Sequence, residues 1–579
     1  VASFWTGTVA DVRGSWVRPA SVRGLFAVPL MAAIVLGVTS VGAAPVLAQG
    51  VPSAVAGPPG TGLAWGTNSA GRLGDGTTTD SSSPVAVNVP AGTTITAVAG
   101  GAGHSLAVTS AGTALAWGDN AFGQLGDGTT IPSSSTPVAV DVPAGTTVTA
   151  LSGGGVHNLA VTSAGTALAW GDNFWGQLGD GSTTRSRTPV AVNVPAGTTI
   201  TAVAAGQGHS LAVTSAGTVL AWGDNSSGQL GDGTATDSSI PVAVDVPAGT
   251  TVTAVAAGGL HSLAVTSAGD VLAWGANGSG QLGDGTTTSS STPVAVDVPA
   301  GTTVTAVAAG GRHSLAVTSA GDVLAWGDNT AGQLGDGSTT HSSTPVAVNV
   351  PAGTTITAVA TGSGHSLAVT STGTALAWGD NTFGQLGDGS TTSSIIPVAV
   401  DLPAGTTITA IAGGSFHSLA IVPSTSTTTL QVSPLNPTPN QDVTLTATVT
   451  CTTDTPTGTI TFRNNNTDLT TVPLDSNNTA THTTRLPPGT HTLTAHHTST
   501  NTCPSNQSES TTITITAPDD PDAPNTPNDP DAPDDPDDPD LPITGPNLLI
   551  TIGTATLLIL TGAALVHLTR RHRPTHHPN

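Results

Sequence analysis

The chain has 579 residues, room for three or four domains at the usual domain size. Its formal charge is −24: the 12 basic residues are all Arg, and the 36 acidic ones are Asp apart from Glu509. A chain without a basic stripe does not suit nucleic acid, and one without Lys excludes Schiff-base chemistry, a Walker-type phosphate grip and a Lys isopeptide cross-link. With 72 Gly, 42 Pro, no Tyr and a bulk of Thr, Ser, Ala and Val, the composition points to short strands and tight turns.

In chain order, residues 1–48 read as an export signal. Arg13, Arg18 and Arg23 precede an apolar run at 25–41, and Val46-Leu47-Ala48 supplies a cleavage site before Gln49. A short linker, 49–59, follows. From residue 60 to 423 the chain repeats. Trp-Gly recurs at Trp65, Trp117, Trp170, Trp222, Trp274, Trp326 and Trp378, and a His at His104, His157, His209, His261, His313, His365 and His417. The Trp spacing is 52 or 53 residues throughout, a period that signals a repeat architecture.

Each unit holds four short strand candidates, in the first copy at 63–65, 85–89, 95–99 and 105–109, separated by Gly- or Pro-bearing turns. Four strands per unit and seven units predict a seven-bladed β-propeller. The array opens on a lone Leu-Ala-Trp-Gly and ends on a lone His-Ser-Leu-Ala, two halves that elsewhere form one hairpin. The first strand is therefore expected to complete the last blade and leave no open edge.

The segment Trp117-Gly118-Asp119-Asn120-Ala121-Phe122-Gly123-Gln124-Leu125-Gly126, with the Pro-Val strand and Gly-x-x-His-Ser-Leu-Ala-Val-Thr that follow, resembles the repeat of the regulator of chromosome condensation family. The resemblance covers residues 60–423 and implies the propeller fold. The founding member is a nuclear guanine-nucleotide exchange factor that works through chromatin and a small GTPase, partners unsuited to an exported acidic chain. A secreted bacterial inhibitor of β-lactamases on the same superfold is nearer by compartment, and one fold hosts many functions.

The repeated His is read as a structural hydrogen-bonding residue and the repeated Gly-Asp-Gly as a turn, since neither has the converging ligands of a metal site. Catalytic residues, cofactor and metal are all expected to be absent, because Ser, His and Asp recur in every unit as filler. The variation gathers at one end of the blades: Phe122, Phe174, Trp175 and Phe383 after the Trp, Phe416 and Arg312 before the His, and Arg185 and Arg187 before the Pro-Val strand. Aromatics and Arg anchor interfaces, so this end is the expected ligand-binding face. The opposite end, Pro-Ala-Gly-Thr-Thr and Thr-Ser-Ala-Gly, hardly varies.

Residues 424–517 alternate Thr with Val, Leu and Ile, and Gly458-Thr459-Ile460-Thr461-Phe462 with Leu486-Pro487-Pro488-Gly489 resemble the immunoglobulin-like modules of bacterial surface proteins. Cys451 and Cys503, the chain's two cysteines, are expected to pair outside the cell. Residues 518–540 alternate Pro with ten Asp and read as an extended spacer.

Leu541-Pro542-Ile543-Thr544-Gly545, an apolar run at 548–568 and then Arg570, Arg571 and Arg573 resemble the sorting signal read by sortases of Gram-positive bacteria. The run is long enough to span a bilayer as a transmembrane helix, with the Arg tail inside. The resemblance implies cutting after Thr544 and its attachment to peptidoglycan at 541–579; a plain membrane anchor reads the same span. Either way residues 49–540 face outward. The expectation is an all-β, wall-anchored surface protein that binds an extracellular protein or glycan, with an enzyme inhibitor or a passive structural role as alternatives.

Overall fold

The computed structural model describes residues 60–452, 455–501 and 503–517. The export signal, spacer, sorting signal, apolar run at 548–568 and basic tail lie outside the described residues. Among the described residues the regular elements are strands alone.

Seven four-stranded antiparallel blades account for residues 60–423. Blade 3 shows the plan: Ile200–Ala205, His209–Thr214, Val219–Gly223 and Ser238–Ala243 pair in chain order. Blades 1, 2, 4, 5 and 6 begin at Ile95, Val148, Val252, Val304 and Ile356 and repeat it. Blade 7 is composite. Ala410–Gly413 and His417–Pro423 come from the end of the array, Gly60–Gly66 and Ser81–Ala86 from its beginning. Gly60–Gly66 runs antiparallel to His417–Pro423 along its whole length, Trp65 opposite Ser418, so the first strand closes the ring as its split repeat implies.

The fourth strand differs from its sequence reading. It begins in the Ser-rich run and ends before the second Val, Ser81–Ala86 in place of 85–89. Pro84 has no N–H to give to a ladder, so pairing is made by Ser81 with Gly66 and by Val85 and Ala86 beyond the proline, with an irregularity between.

Between blades the core is apolar and uniform. The seven Trp are fully buried, and each packs against the neighbouring Leu-Gly turn, preceded by Gln in six cases and by Arg72 beside Trp117. Gly126 in that turn has φ +64°, and a Cβ there would sit 2.7 Å from the Trp170 Nε1 of the next blade. Each Trp Nε1 donates to a main-chain carbonyl of the preceding blade, Trp170 to Gln124 for example, at 2.8–3.0 Å.

The seven His are also fully buried and form a second interblade tie. Their Nε2 atoms lie 2.6–3.1 Å from Asn158, Ser210, Ser262, Ser314, Ser366, Ser418 and, closing the circle, Ser105, each on the next blade. The imidazole lies over the Gly three residues earlier; at Gly101 a Cβ would fall 2.1 Å from the His104 ring. This is the structural role expected of the repeated His. The Gly-Asp-Gly segments are turns in which Asp127 accepts from the Thr129 N–H and, in blade 2, Asp180 accepts from Ser182.

Residues 426–515 form a sandwich of a three-stranded and a five-stranded sheet around Val443, Leu445, Val449, Ile460, Phe462, Leu493 and Ile513. Cys451, at the end of Asp442–Cys451, is disulfide-bonded to Cys503, with the Cα atoms 5.9 Å apart.

Candidate binding face

The loop after each Trp is a rigid platform. In blade 1 the Leu125 N–H donates to Asn120 Oδ1 at 3.0 Å, the Phe122 N–H to Gln124 Oε1 at 2.8 Å, and Gln124 Nε2 to Asp119 Oδ2 at 3.1 Å. The same three bonds hold Trp175 through Asn173, Gln177 and Asp172, and Phe383 through Asn381, Gln385 and Asp380. The side chain that varies between blades is therefore mounted on a backbone that does not. Little ordering entropy remains to be lost when such a ring meets a partner.

The aromatic platforms are not spread evenly around the ring. They belong to blades 6, 1 and 2, with blade 7 between 6 and 1. Blades 3, 4 and 5 carry Ser226-Ser227, Gly278-Ser279 and Thr330-Ala331 at the same place. Phe174 is 72% exposed and meets the half-buried Trp175 edge-on at 5.3 Å between ring centres. Trp175 in turn lies over blade 3, where a Cβ on Gly208 would touch its ring at 2.9 Å. Phe383, 40% exposed, meets Phe416 of blade 7 edge-on at 5.4 Å. Phe122 is 40% exposed, and the next residue, Gly123, packs on Arg187 of blade 2. Arg185 is exposed beside it in the chain.

Seven of the eight expected face residues thus fall on one arc, from blade 6 through blades 7 and 1 to blade 2. The eighth, Arg312, is exposed and precedes His313 in blade 5, the neighbour of blade 6 at the edge of that arc.

Sequence reasoning passed over two features. Arg72 replaces the platform Gln in blade 7. It is largely buried, donating from Nη1 to the Ala102 carbonyl at 3.2 Å and from Nη2 to Ser69 Oγ at 2.9 Å. Burial lowers its pKa, against the opposing pull of Asp119 and Asp80. Arg72 lies in the arc at the blade 7 platform, whose Ser69-Ala70 carries no aromatic. Exposed Ile131, Ile240, Ile395 and Ile396 were also missed. The signal was present, because Ser-Ser-Thr-Pro of blades 4 and 5 becomes Ser-Ile-Ile-Pro in blade 6 and Ser-Ser-Ile-Pro in blade 3.

Two open clefts of about 440 and 410 Å³ lie at the end of the blades opposite the arc, lined by Thr250, Asp270 and Thr302 and by Thr302, Asp322 and Thr354, without an aromatic in either. Among the described residues no cluster of His, Cys, Asp or Glu is placed to hold a metal ion.

Comparison with known proteins matches this geometry. The model of the RCC1-like domain matches residues 182–430, and that of the regulator of chromosome condensation (RCC1) repeat matches 60–108 and 111–161. The bacterial Ig-like domain (group 3) matches 430–516. The Ultraviolet-B receptor UVR8 of Arabidopsis thaliana is 34% identical over 338 residues, 58% of this chain and 77% of the receptor. The human E3 ubiquitin-protein ligase HERC2 is 34% identical over 369 residues, 63% of this chain but 8% of the ligase. Among solved structures, Prp20p of Saccharomyces cerevisiae superposes with TM-score 0.55 at 25% identity, covering 63% of this chain and 92% of Prp20p. Human WBSCR16 gives TM-score 0.58 at 24% identity over 63% of this chain and 99% of its own, a likeness of fold. By its repeats, its blades and its likeness to UVR8, the chain belongs to the regulator of chromosome condensation (RCC1) repeat family.

Proposed function

We propose that this is a non-catalytic bacterial surface protein whose propeller binds a protein partner through the aromatic arc that runs from blade 6 through blades 7 and 1 to blade 2. The observation that carries the reading is the set of exposed rings on Gln- and Asn-locked loops, Phe122, Phe174 and Phe383, confined to neighbouring blades while the other platforms carry Ser, Gly, Thr or Ala. Rigid aromatics flanked by Arg are what anchor protein interfaces. Relatives support a binding role: UVR8 is an ultraviolet-B receptor, and Prp20p binds Gsp1p and histones. Neither of those partners is carried over to this chain.

The finer part of the proposal rests on the sequence. The bacterial Ig-like domain would serve as a stalk, residues 518–540 as a spacer, and the Leu541-to-Gly545 motif as the site where a sortase joins Thr544 to peptidoglycan. An enzyme inhibitor would use the same arc on one tight target.

A photo-cross-linking residue at position 174 of the full chain tests the arc. The expected result is a discrete protein adduct from extracellular material that the same residue at position 226, on the blade 3 platform, does not give. Equal labelling from both positions, or adducts with glycan alone, would overturn the protein-binding reading.

A further inference from the structure

Each bond of the histidine circle has a defined polarity. Ser210, Ser262, Ser314, Ser366 and Ser418 donate their hydroxyl hydrogens to the carbonyls of Gln177, Gln229, Gln281, Gln333 and Gln385, and Ser105 donates to that of Arg72, at 2.7–2.9 Å. A hydroxyl has one hydrogen, so each Ser accepts its bond from the histidine. Asn158 reaches the same answer with other atoms: Nδ2 donates to the Gln124 carbonyl, leaving Oδ1 to accept from His104. All seven imidazoles are therefore neutral Nε2–H tautomers. Their seven Nδ1 atoms are buried, and no protein group reaches any of them with a hydrogen bond.

We propose that the histidine circle is an acid-operated latch that holds the seven blade junctions at neutral pH and releases them together on proton uptake. A proton on Nδ1 would be a new donor without a protein acceptor, on a cation buried between blades. It would also strain the junction's other bond, because the Trp indole and the Ser share one carbonyl. Release would act on the binding face, since Phe416 directly precedes His417 and Trp175 rests on Gly208 beside His209. The latch does not depend on what that face binds.

The charged groups around the circle are few. Asp119 and Arg72 face His104; Arg72, His104 and His365 face His417; Asp328 faces His313; and Asp380 and His313 face His365. His157, His209 and His261 face only other members of the circle. Burial dominates in every case. It lowers His104 and His313 to about 4 and His157, His209, His261 and His365 to about 3, with His417 also well below its ordinary value. The folded ring thus binds fewer protons than the unfolded chain below about pH 6.5. Its stability is complete above that pH and falls as the pH drops toward the folded values.

The test follows histidine-selectively labelled full chain by NMR from pH 8 to 4 and measures urea unfolding over the same range. The expected spectra show seven Nε2–H imidazoles that do not titrate in the folded state above about pH 5. Unfolding of the propeller should take up several protons between pH 6 and 5. In the double variant His261→Gln, His313→Gln, where Gln can still donate to Ser314 and Ser366, uptake should fall by about two protons. Circle imidazoles that titrate between pH 6 and 7 while the chain stays folded would overturn the latch. So would a double variant that folds and keeps the full proton uptake. If it does not fold, the titration of the unaltered chain decides.

Discussion

The Nε2 of His417 lies 2.9 Å from the Oγ of Ser105, 312 residues earlier in the chain. The last blade is thereby tied to the first by the bond that links the other neighbours, and Trp65 donates to the Gln385 carbonyl as the other Trp do to theirs. A third circle runs through the main chain before each His, from Ala102 N–H to the Gly154 carbonyl around to Ser415 N–H and the Gly101 carbonyl. The array is a ring in which the junction holding the two ends of the array is built like the rest.

Equivalence of the junctions makes a direct prediction. Trp65→Ala, in the strand that closes blade 7, should destabilise the propeller as much as Trp274→Ala in blade 4, each by about 3–5 kcal/mol. Urea unfolding followed by circular dichroism measures both. A Trp65 cost well below the Trp274 cost would mean that the closing strand detaches readily.

Asn158 stands where the other blades have Ser, and it must accept from His104 while donating to the Gln124 carbonyl. Asn158→Ala removes both functions and leaves a buried N–H and carbonyl short of partners, so it should cost about 1–3 kcal/mol. Asn158→Ser restores the arrangement of the other junctions and should cost less than half of that. Chemical denaturation of the two variants side by side gives the comparison.

In the Ig-like domain the Cys451–Cys503 bond closes a span of 52 residues. Chain entropy assigns about 4 kcal/mol to a loop of that length. The double variant Cys451→Ser, Cys503→Ser should lower the sandwich transition in calorimetry by that order and leave the propeller transition in place. Intact mass should rise by about two daltons on reduction, one hydrogen for each sulfur.

The ring positions on the face should separate into two classes. Phe174→Ser changes a side chain that is mostly in solvent and should shift stability by less than about 0.5 kcal/mol. Phe416→Ser removes a half-buried ring that meets Phe383 and should cost about 1–3 kcal/mol. Thermal melts of the two variants distinguish an anchor free for a partner from one already used in packing.

The propeller was legible because Trp and His recur at a constant spacing, and the closing strand because the array begins and ends on complementary halves. What the sequence did not reveal lies across blades. The partner of His104 is Asn158, 54 residues away, and nothing local marks Asn158 as other than a variant Ser. Arg72 reads as one more surface charge, yet it occupies the platform Gln position and is held by Ala102 and Ser69. The start of the fourth strand was misjudged because Ser81 has weak strand propensity and pairs only through an irregularity around Pro84. The expected face residues were picked by their variation, which did not show which of them meet across blades, as Phe383 and Phe416 do.

The most direct test of the binding account compares the full chain with the variant Phe122→Ser, Phe174→Ser, Phe383→Ser, both immobilised against a panel of extracellular matrix proteins, cell-wall fragments, glycans and β-lactamases. The account predicts at least one protein captured by the unaltered chain, with affinity at least tenfold weaker for the variant, which its melting curve shows to be folded at the assay temperature. Capture of the same protein with equal affinity by both chains would contradict it and take the binding role away from the aromatic arc.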